Sequence, residues 1–95
     1  MHEQKTTKRT EKLKNDLTKR LNRIEGQVRG VNKMIAEDKY CDDVLIQIVA
    51  IKSALDSVNK LILEHHMRGC LVKDIQKGKE EVIDELLTTI GRMVK

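Results

Sequence analysis

The chain has 95 residues, enough for one small domain, and it contains no Phe, Trp or Pro. Its formal net charge is +4, but residues 1–33 hold ten Lys/Arg against four Asp/Glu (+6), and residues 34–95 hold nine against eleven (−2). An aliphatic, charge-rich sequence without proline favours helices. Since no apolar run approaches about 18 residues, no membrane span is predicted, and the basic first third suggests a polyanionic partner such as nucleic acid.

The first ten residues are polar and without periodicity, so residues 1–10 are expected to form a disordered tail before a single helical domain, residues 11–95. They lack the apolar core of a secretory signal, which predicts a cytoplasmic protein with reduced thiols. From about residue 11, apolar residues recur as in a helix packed lengthwise on another helix: Leu17, Leu21, Ile24, Val28, Val31 and Ile35. This helix should end near EDKYCDD, where Asp42 or Asp43 is a plausible N-cap for the next one.

A second, longer helix is predicted over about residues 43–73, because an apolar stripe runs from Val44 to Ile62 and a second face is apolar too. Gly78 ends the pattern, and a shorter third helix follows from about Val82. The expected fold is all-α: a long antiparallel helical hairpin plus a short third helix. Since a lone hairpin would leave the second apolar face wet, two chains are expected to pair into a four-helix bundle. A single extended monomer is the alternative.

Two cysteines and a histidine form the pattern with most chemistry. Cys70 lies four residues after His66, so the two share one helix face, whereas His65 is rotated away from it. Cys41 would lie about 43 Å from Cys70 along an unbroken helix, and residues 44–67 contain no Pro or Gly to break it. The three can meet if two chains pair antiparallel. Two thiolates and one imidazole suit a three-coordinate Cu(I) ion better than zinc, which normally takes four ligands.

Two other kinds of chemistry fit the same residues. A Cys–His pair can act as nucleophile and base in an enzyme, but the sequence shows no third orienting group and no Gly-rich oxyanion loop, so an enzyme is not expected. The two thiols could instead join through sulfur atoms and sense oxidants or reactive sulfur. The residues alone leave this last alternative open.

The basic residues of the first helix share a face. They fall within an arc of about 120° beside the apolar seam: Lys8, Arg9, Lys12, Lys19, Arg20 and Arg23. Gly26 and Gly30 continue the arc, and since glycine inside a helix costs about 1 kcal/mol against Ala, the pair suggests that a backbone or a phosphate approaches there. No helix-turn-helix motif can be drawn. A DNA complex would therefore use the faces of long helices, with Lys and Arg on phosphates.

Three stretches, RLNRIEGQVRGV, YCDDVLIQI and HHMRGC, closely resemble the copper-sensitive operon repressor family of bacterial transcription regulators. The resemblance covers about residues 12–94. It implies an all-helical dimer that pairs into a tetramer, with Cu(I) bound between protomers by Cys41, His66 and Cys70. It also implies a repressor that holds double-stranded operator DNA without metal and releases it with Cu(I), which switches on copper efflux and handling genes.

The resemblance also implies roles for residues around these ligands and on the basic face. The family's outer-shell tyrosine matches Tyr40, and its acidic partner matches Glu85. Its DNA-contacting arginine matches Arg20. Taken with the basic arc, the expected DNA-binding residues are Lys12, Lys19, Arg20 and Arg23.

Sister branches of the family separate the possible signals. Nickel- and cobalt-sensing relatives carry His where this chain has Cys70 and use an N-terminal His, for which this chain offers His2. Persulfide-sensing relatives keep both cysteines but lack the histidine found here at His66. The combination of His66 with Cys70 therefore favours copper, and sulfur sensing is the runner-up.

Overall fold

The computed structural model describes residues 6–94, and the regular elements within them are helices, with no strand. They are α1 (Glu11–Ala36), α2 (Cys41–His66), a π-helical turn (Met67–Leu71), α3 (Val72–Gln76) and α4 (Glu81–Met93). The all-α prediction is confirmed. Residues 6–10 precede α1, whereas residues 1–5 of the expected tail lie outside the described part of the chain. The described residues divide into two compact units, 9–61 and 6–8 with 62–94.

The first unit contains α1 and most of α2. Thr10 caps α1, because its Oγ1 accepts a hydrogen bond from the Leu13 N–H at 3.1 Å and so satisfies one of the unpaired donors at the helix start. The apolar seam of α1 is only partly covered. Its buried members are Leu13, Leu17, Ile24 and Val31, while α2 buries Val58. The predicted seam residues Leu21, Val28 and Ile35 are exposed.

The turn between α1 and α2 closes with a Schellman motif. Asp38 has a positive φ of 54°, its N–H donates to the Ile35 carbonyl at 3.1 Å, and the Lys39 N–H donates to the Met34 carbonyl at 2.9 Å. The chain then enters α2 at Cys41, so Asp42 and Asp43 lie inside the first turn. The prediction that one of them is the N-cap is wrong. Their charges still favour the helix start, where the backbone N–H groups are unpaired.

Among the described residues, the second unit contains residues 6–8, the end of α2, the π-helical turn, α3 and α4. The predicted continuous helix over residues 43–73 is wrong at one point, because a π-helical turn interrupts it after His66. The third predicted helix is confirmed as α4. A second Schellman motif ends α3: Gly78 has φ 80°, and the Lys79 N–H donates to the Asp74 carbonyl at 2.9 Å.

Long stretches of α2 expose apolar side chains, as its two-faced pattern predicts for a chain without a partner. The large apolar residues of α2 that remain exposed are Leu45, Ile46, Ile48, Val49 and Leu55. Contiguous apolar surface of this kind usually marks a contact with another molecule. Among the described residues, no helix is both long enough and apolar enough to cross a membrane.

Candidate functional site

His66 and Cys70 lie at a local change of helix type. His66 is the last residue of α2, and Cys70 lies in the π-helical turn that follows, one residue after Gly69. Both side chains are half-buried. In a π-helix the backbone bonds run from residue i to i+5, and such turns occur frequently at functional sites. The two residues expected to be ligands therefore lie in one short segment, although the helix between them is not purely α-helical as the sequence suggested.

A cavity of about 580 Å³ opens beside His66 within the second unit. Glu85, which α4 contributes, lines the same cavity, so the structure brings this histidine and the expected acidic partner to one space. His65 is exposed and is not among the lining residues. Residues that the sequence reasoning did not anticipate complete much of the wall: Thr6, Thr7, Asp74 and Lys79. No local motif marks them, because they are far apart in the sequence and meet only in the folded chain.

The third expected ligand, Cys41, is the first residue of α2 and is exposed. Tyr40, directly before it, is 74% exposed. A helix of 26 residues such as α2 is about 39 Å long, so Cys41 and His66 occupy opposite ends of one element. Among residues 6–94, no group of three or more His, Cys, Asp or Glu side chains could hold a metal ion. The described chain therefore does not unite Cys41 with His66 and Cys70, and His2 lies outside the described residues.

The basic face of α1 is solvent-exposed. Lys12, Lys19, Arg20 and Arg23 all reach solvent. A carboxylate that the sequence reasoning passed over lies among them: Asp16 accepts a hydrogen bond from the Nε of Arg20 at 2.8 Å. The i, i+4 spacing of the pair is the signal that could have found it.

Gly26 and Gly30 do not serve packing within the described chain. A Cβ built on Gly30 meets nothing within 4 Å, and one built on Gly26 meets only the Nη2 of Arg29, at 3.9 Å. The close approach suggested by these glycines therefore has no counterpart among residues 6–94. The approach of a phosphate or of another chain to this part of α1 stays a prediction.

Comparison with known proteins gives a consistent result over nearly the whole chain. Residues 13–92 match the family model described as metal-sensitive transcriptional repressor. The copper-sensing transcriptional repressor CsoR of Bacillus subtilis is 41% identical over 88 residues, which cover 92% of this chain and 87% of that protein. The copper-sensing transcriptional repressor RicR of Mycobacterium tuberculosis is 44% identical over 85 residues, which cover 86% and 88%.

Among solved structures, this chain is similar to the copper-sensing repressor CsoR with Cu(I) from Geobacillus thermodenitrificans. The TM-score is 0.88 and the identity 43%, with 95% of each chain covered. The nickel-responsive transcriptional regulator InrS is also similar, with a TM-score of 0.70, 37% identity, and 93% of this chain and 97% of that one covered. The fold is thus shared by sensors of different metals, so it does not by itself indicate which metal is bound. The types of donor atom distinguish the metals.

Proposed function

This chain belongs to the family of metal-sensitive transcriptional repressors, and we propose from this premise that it is a Cu(I)-responsive repressor. Its metal-free form binds operator DNA, and Cu(I) binding releases the DNA, so that copper efflux and homeostasis genes are expressed. The observation that supports copper is the donor set of Cys41, His66 and Cys70. Two thiolates with one imidazole are soft ligands in a number that suits Cu(I) and falls short of the four that zinc prefers.

Two features of the described residues support this donor set. His66 and Cys70 lie in one short segment, both half-buried, so they are partly shielded from water and still reachable. Glu85 lines the cavity that His66 also lines. A carboxylate in that position can accept the second ring N–H of the imidazole, which fixes the tautomer and orients the ligand nitrogen. Tyr40 directly precedes Cys41 and is the second outer residue of the proposed site.

The site requires two chains, because Cys41 and His66 begin and end the same 26-residue helix. In an antiparallel pair of α2 helices, the start of one chain's helix lies beside the end of its partner's. The exposed apolar side chains of α1 and α2 supply the contact surface for such a pair, a four-helix bundle with two equivalent sites. Two of these dimers then form a tetramer. When bound, Cu(I) supplies metal–ligand bonds that join the two chains at each site.

The basic face of α1 provides the DNA contact. Its exposed cations, Lys12, Lys19, Arg20 and Arg23, are suited to phosphates of double-stranded DNA and make the affinity dependent on salt. Release follows if the metal-bound arrangement of the two chains differs from the one that fits DNA. A tenfold loss of operator affinity needs about 1.4 kcal/mol of coupling between the two sites. Such a protein is a cytoplasmic regulator and not an enzyme.

The test is an anaerobic Cu(I) titration that reads operator affinity by fluorescence anisotropy at fixed salt. Wild type should release DNA as Cu(I) is added. His66→Ala should bind the operator normally but fail to release it with Cu(I). His65→Ala is the matched control, because its histidine is adjacent but exposed and outside the cavity; it should behave like wild type.

Two outcomes would contradict the proposal. If His66→Ala releases DNA normally with Cu(I), the imidazole is not a ligand that matters for the response. If wild type ignores Cu(I) and responds only to a persulfide donor, Cys41 and Cys70 act as a sulfur sensor instead. In that case a covalent link between the two thiols, detected by mass spectrometry, should accompany DNA release.

A further inference from the structure

An acidic residue lies at the centre of the basic face of α1. At about 100° per residue, Lys12, Lys19, Arg20 and Arg23 all fall within about 60° of Asp16 around the helix. The other acidic residues of α1 are Glu11 and Glu25, and they lie about 140° and 180° away from Asp16. Asp16 is therefore the one carboxylate of α1 on the surface proposed to meet DNA. A negative charge there repels phosphates, so Asp16 reduces the general attraction of this surface for DNA.

Asp16 contacts one particular nitrogen of Arg20, the Nε. Its Oδ1 accepts from Nε of Arg20 at 2.8 Å, and both side chains are about half exposed, 47% and 46%. The two terminal nitrogens of Arg20 have no ion pair or hydrogen bond among the described residues. Asp16 thus holds the guanidinium by its inner nitrogen and leaves its outer, two-nitrogen edge open. That edge is the one that pairs with guanine or with a phosphate through two parallel hydrogen bonds.

A second ion pair of α1 shows the contrast. Arg29 donates to Glu25 at the same i, i+4 spacing, but it does so with the terminal nitrogen Nη1, at 2.5 Å. This pair lies on the opposite side of the helix from Asp16 and occupies the outer edge of the guanidinium. Both pairs contribute to helix stability in the same modest way. Only the Asp16–Arg20 pair leaves an arginine oriented and available on the basic face.

The other cations of the basic face are not held in this way. Among the described residues, Lys12, Lys19 and Arg23 form no ion pair with a carboxylate. They are suited to phosphate contacts that tolerate a mobile side chain, whereas reading a base edge requires a fixed one. The fixed arginine is therefore the candidate for sequence discrimination.

We propose that Asp16 is a positioning residue for DNA recognition, which orients Arg20 for a two-nitrogen contact and lowers the affinity of the face for DNA of arbitrary sequence. This inference rests on the proposed role of Arg20 in operator binding. It assigns to Asp16 an effect on the ratio between operator and random-sequence affinity. An ion pair that only stabilises the helix would leave this ratio unchanged.

The experiment compares metal-free wild type, Asp16→Asn and Glu25→Gln. The operator is a duplex that wild type enriches from a random-sequence pool, and the competitor is the unselected pool. Asp16→Asn keeps the shape of the side chain but loses its charge, while Glu25→Gln makes the same change on the opposite face. For Asp16→Asn the ratio of operator to random-pool affinity should fall roughly three- to tenfold, since a good two-nitrogen base contact supplies roughly five- to 150-fold discrimination, of which the loss of orientation removes a part. Asp16→Glu should recover much of the ratio, and Glu25→Gln should keep it.

The dependence on Arg20 completes the test. In an Arg20→Ala background, Asp16→Asn should no longer change the ratio, because the side chain that it orients is gone. A ratio that Asp16→Asn leaves intact, whether or not both affinities rise together, overturns the positioning role and reduces Asp16 to a repelling charge. Failure of the proposed function looks different: wild type would then enrich no sequence, or its enriched duplex would not be released by Cu(I).

Discussion

A copper site shared between two chains can be tested by complementation of two inactive variants. Cys41→Ala keeps His66 and Cys70, and Cys70→Ala keeps Cys41, so each variant alone lacks a complete site. In a mixed dimer of the proposed arrangement, one of the two sites would regain all three ligands and the other would lose both cysteines. With random pairing about half of the dimers are mixed, so the mixture should bind about a quarter as much Cu(I) as wild type at high affinity.

The expectation that each copper site draws ligands from two chains follows from the length of α2. Since Cys41 and His66 begin and end a 26-residue helix, about 39 Å long, a chain cannot complete the site with its own ligands while the helix is intact. The assay is anaerobic titration against a chromophoric Cu(I) chelator after subunit exchange, with mixed dimers counted by native mass spectrometry. A matched control mixes His66→Ala with Cys70→Ala, because both lesions then lie at the same end of α2 and no mixed dimer has a full site.

One outcome would contradict a site shared between two chains. If mixed dimers form but bind no more Cu(I) than either variant alone, the ligands do not come from two chains as described. Equal recovery in the control mixture would show that the gain does not depend on which end of α2 is damaged, and this would also rule out the shared site.

Three further predictions concern the DNA face and the ends of helices. Arg20→Ala should weaken operator binding and leave Cu(I) affinity unchanged; unchanged operator affinity and salt slope would remove Arg20 from the interface. Gly78→Ala should lower the free energy of unfolding by about 1 kcal/mol in urea denaturation, because the φ of Gly78 is 80° and the added Cβ meets nothing within 4 Å. Gly91→Ala is the control, since a Cβ at Gly91 inside α4 also meets nothing within 4 Å, and this variant should not be destabilised. A similar loss of stability in Gly91→Ala would contradict the explanation from the backbone conformation. Thr10→Ala should cost about 1 kcal/mol through the lost cap on Leu13, and Thr10→Ser should retain it, so equal melting of both variants would argue against the cap.

The sequence predicted the elements better than their junctions. Regular apolar spacing located α1 and α4 and the greater part of α2, because a stripe of buried side chains must recur with the helical period. The start of α2 was misjudged, since Asp42 and Asp43 are common capping types, whereas the actual turn depends on Asp38 adopting a left-handed conformation. The π-helical turn was missed for another reason: it changes the backbone bonding without any residue that side-chain periodicity would mark.

The candidate site, like the fold, could be predicted from the sequence only in part. Residue chemistry and spacing suggested Cys41, His66 and Cys70 as a soft donor set, and family resemblance suggested Glu85, which the fold brings to the cavity of His66. The roles of all four stay predictions. The contact between Asp16 and Arg20 was not proposed, because charge counting over residues 1–33 treats every acid as a subtraction from the basic total. The role proposed for this ion pair depends on which nitrogen of Arg20 contacts Asp16, and only the three-dimensional structure shows this.

The exposed apolar side chains of α1 and α2 have a consequence for the amount of protein that a cell must maintain. If these faces are covered by a second copy, as proposed, folding and association become one equilibrium, and the unfolding midpoint rises with protein concentration. Dilution of the protein then lowers the fraction of folded chains. A regulator of this kind would lose structure as well as occupancy of its operator when its abundance falls, so the copper threshold of the promoter would be set partly by how much repressor is synthesised.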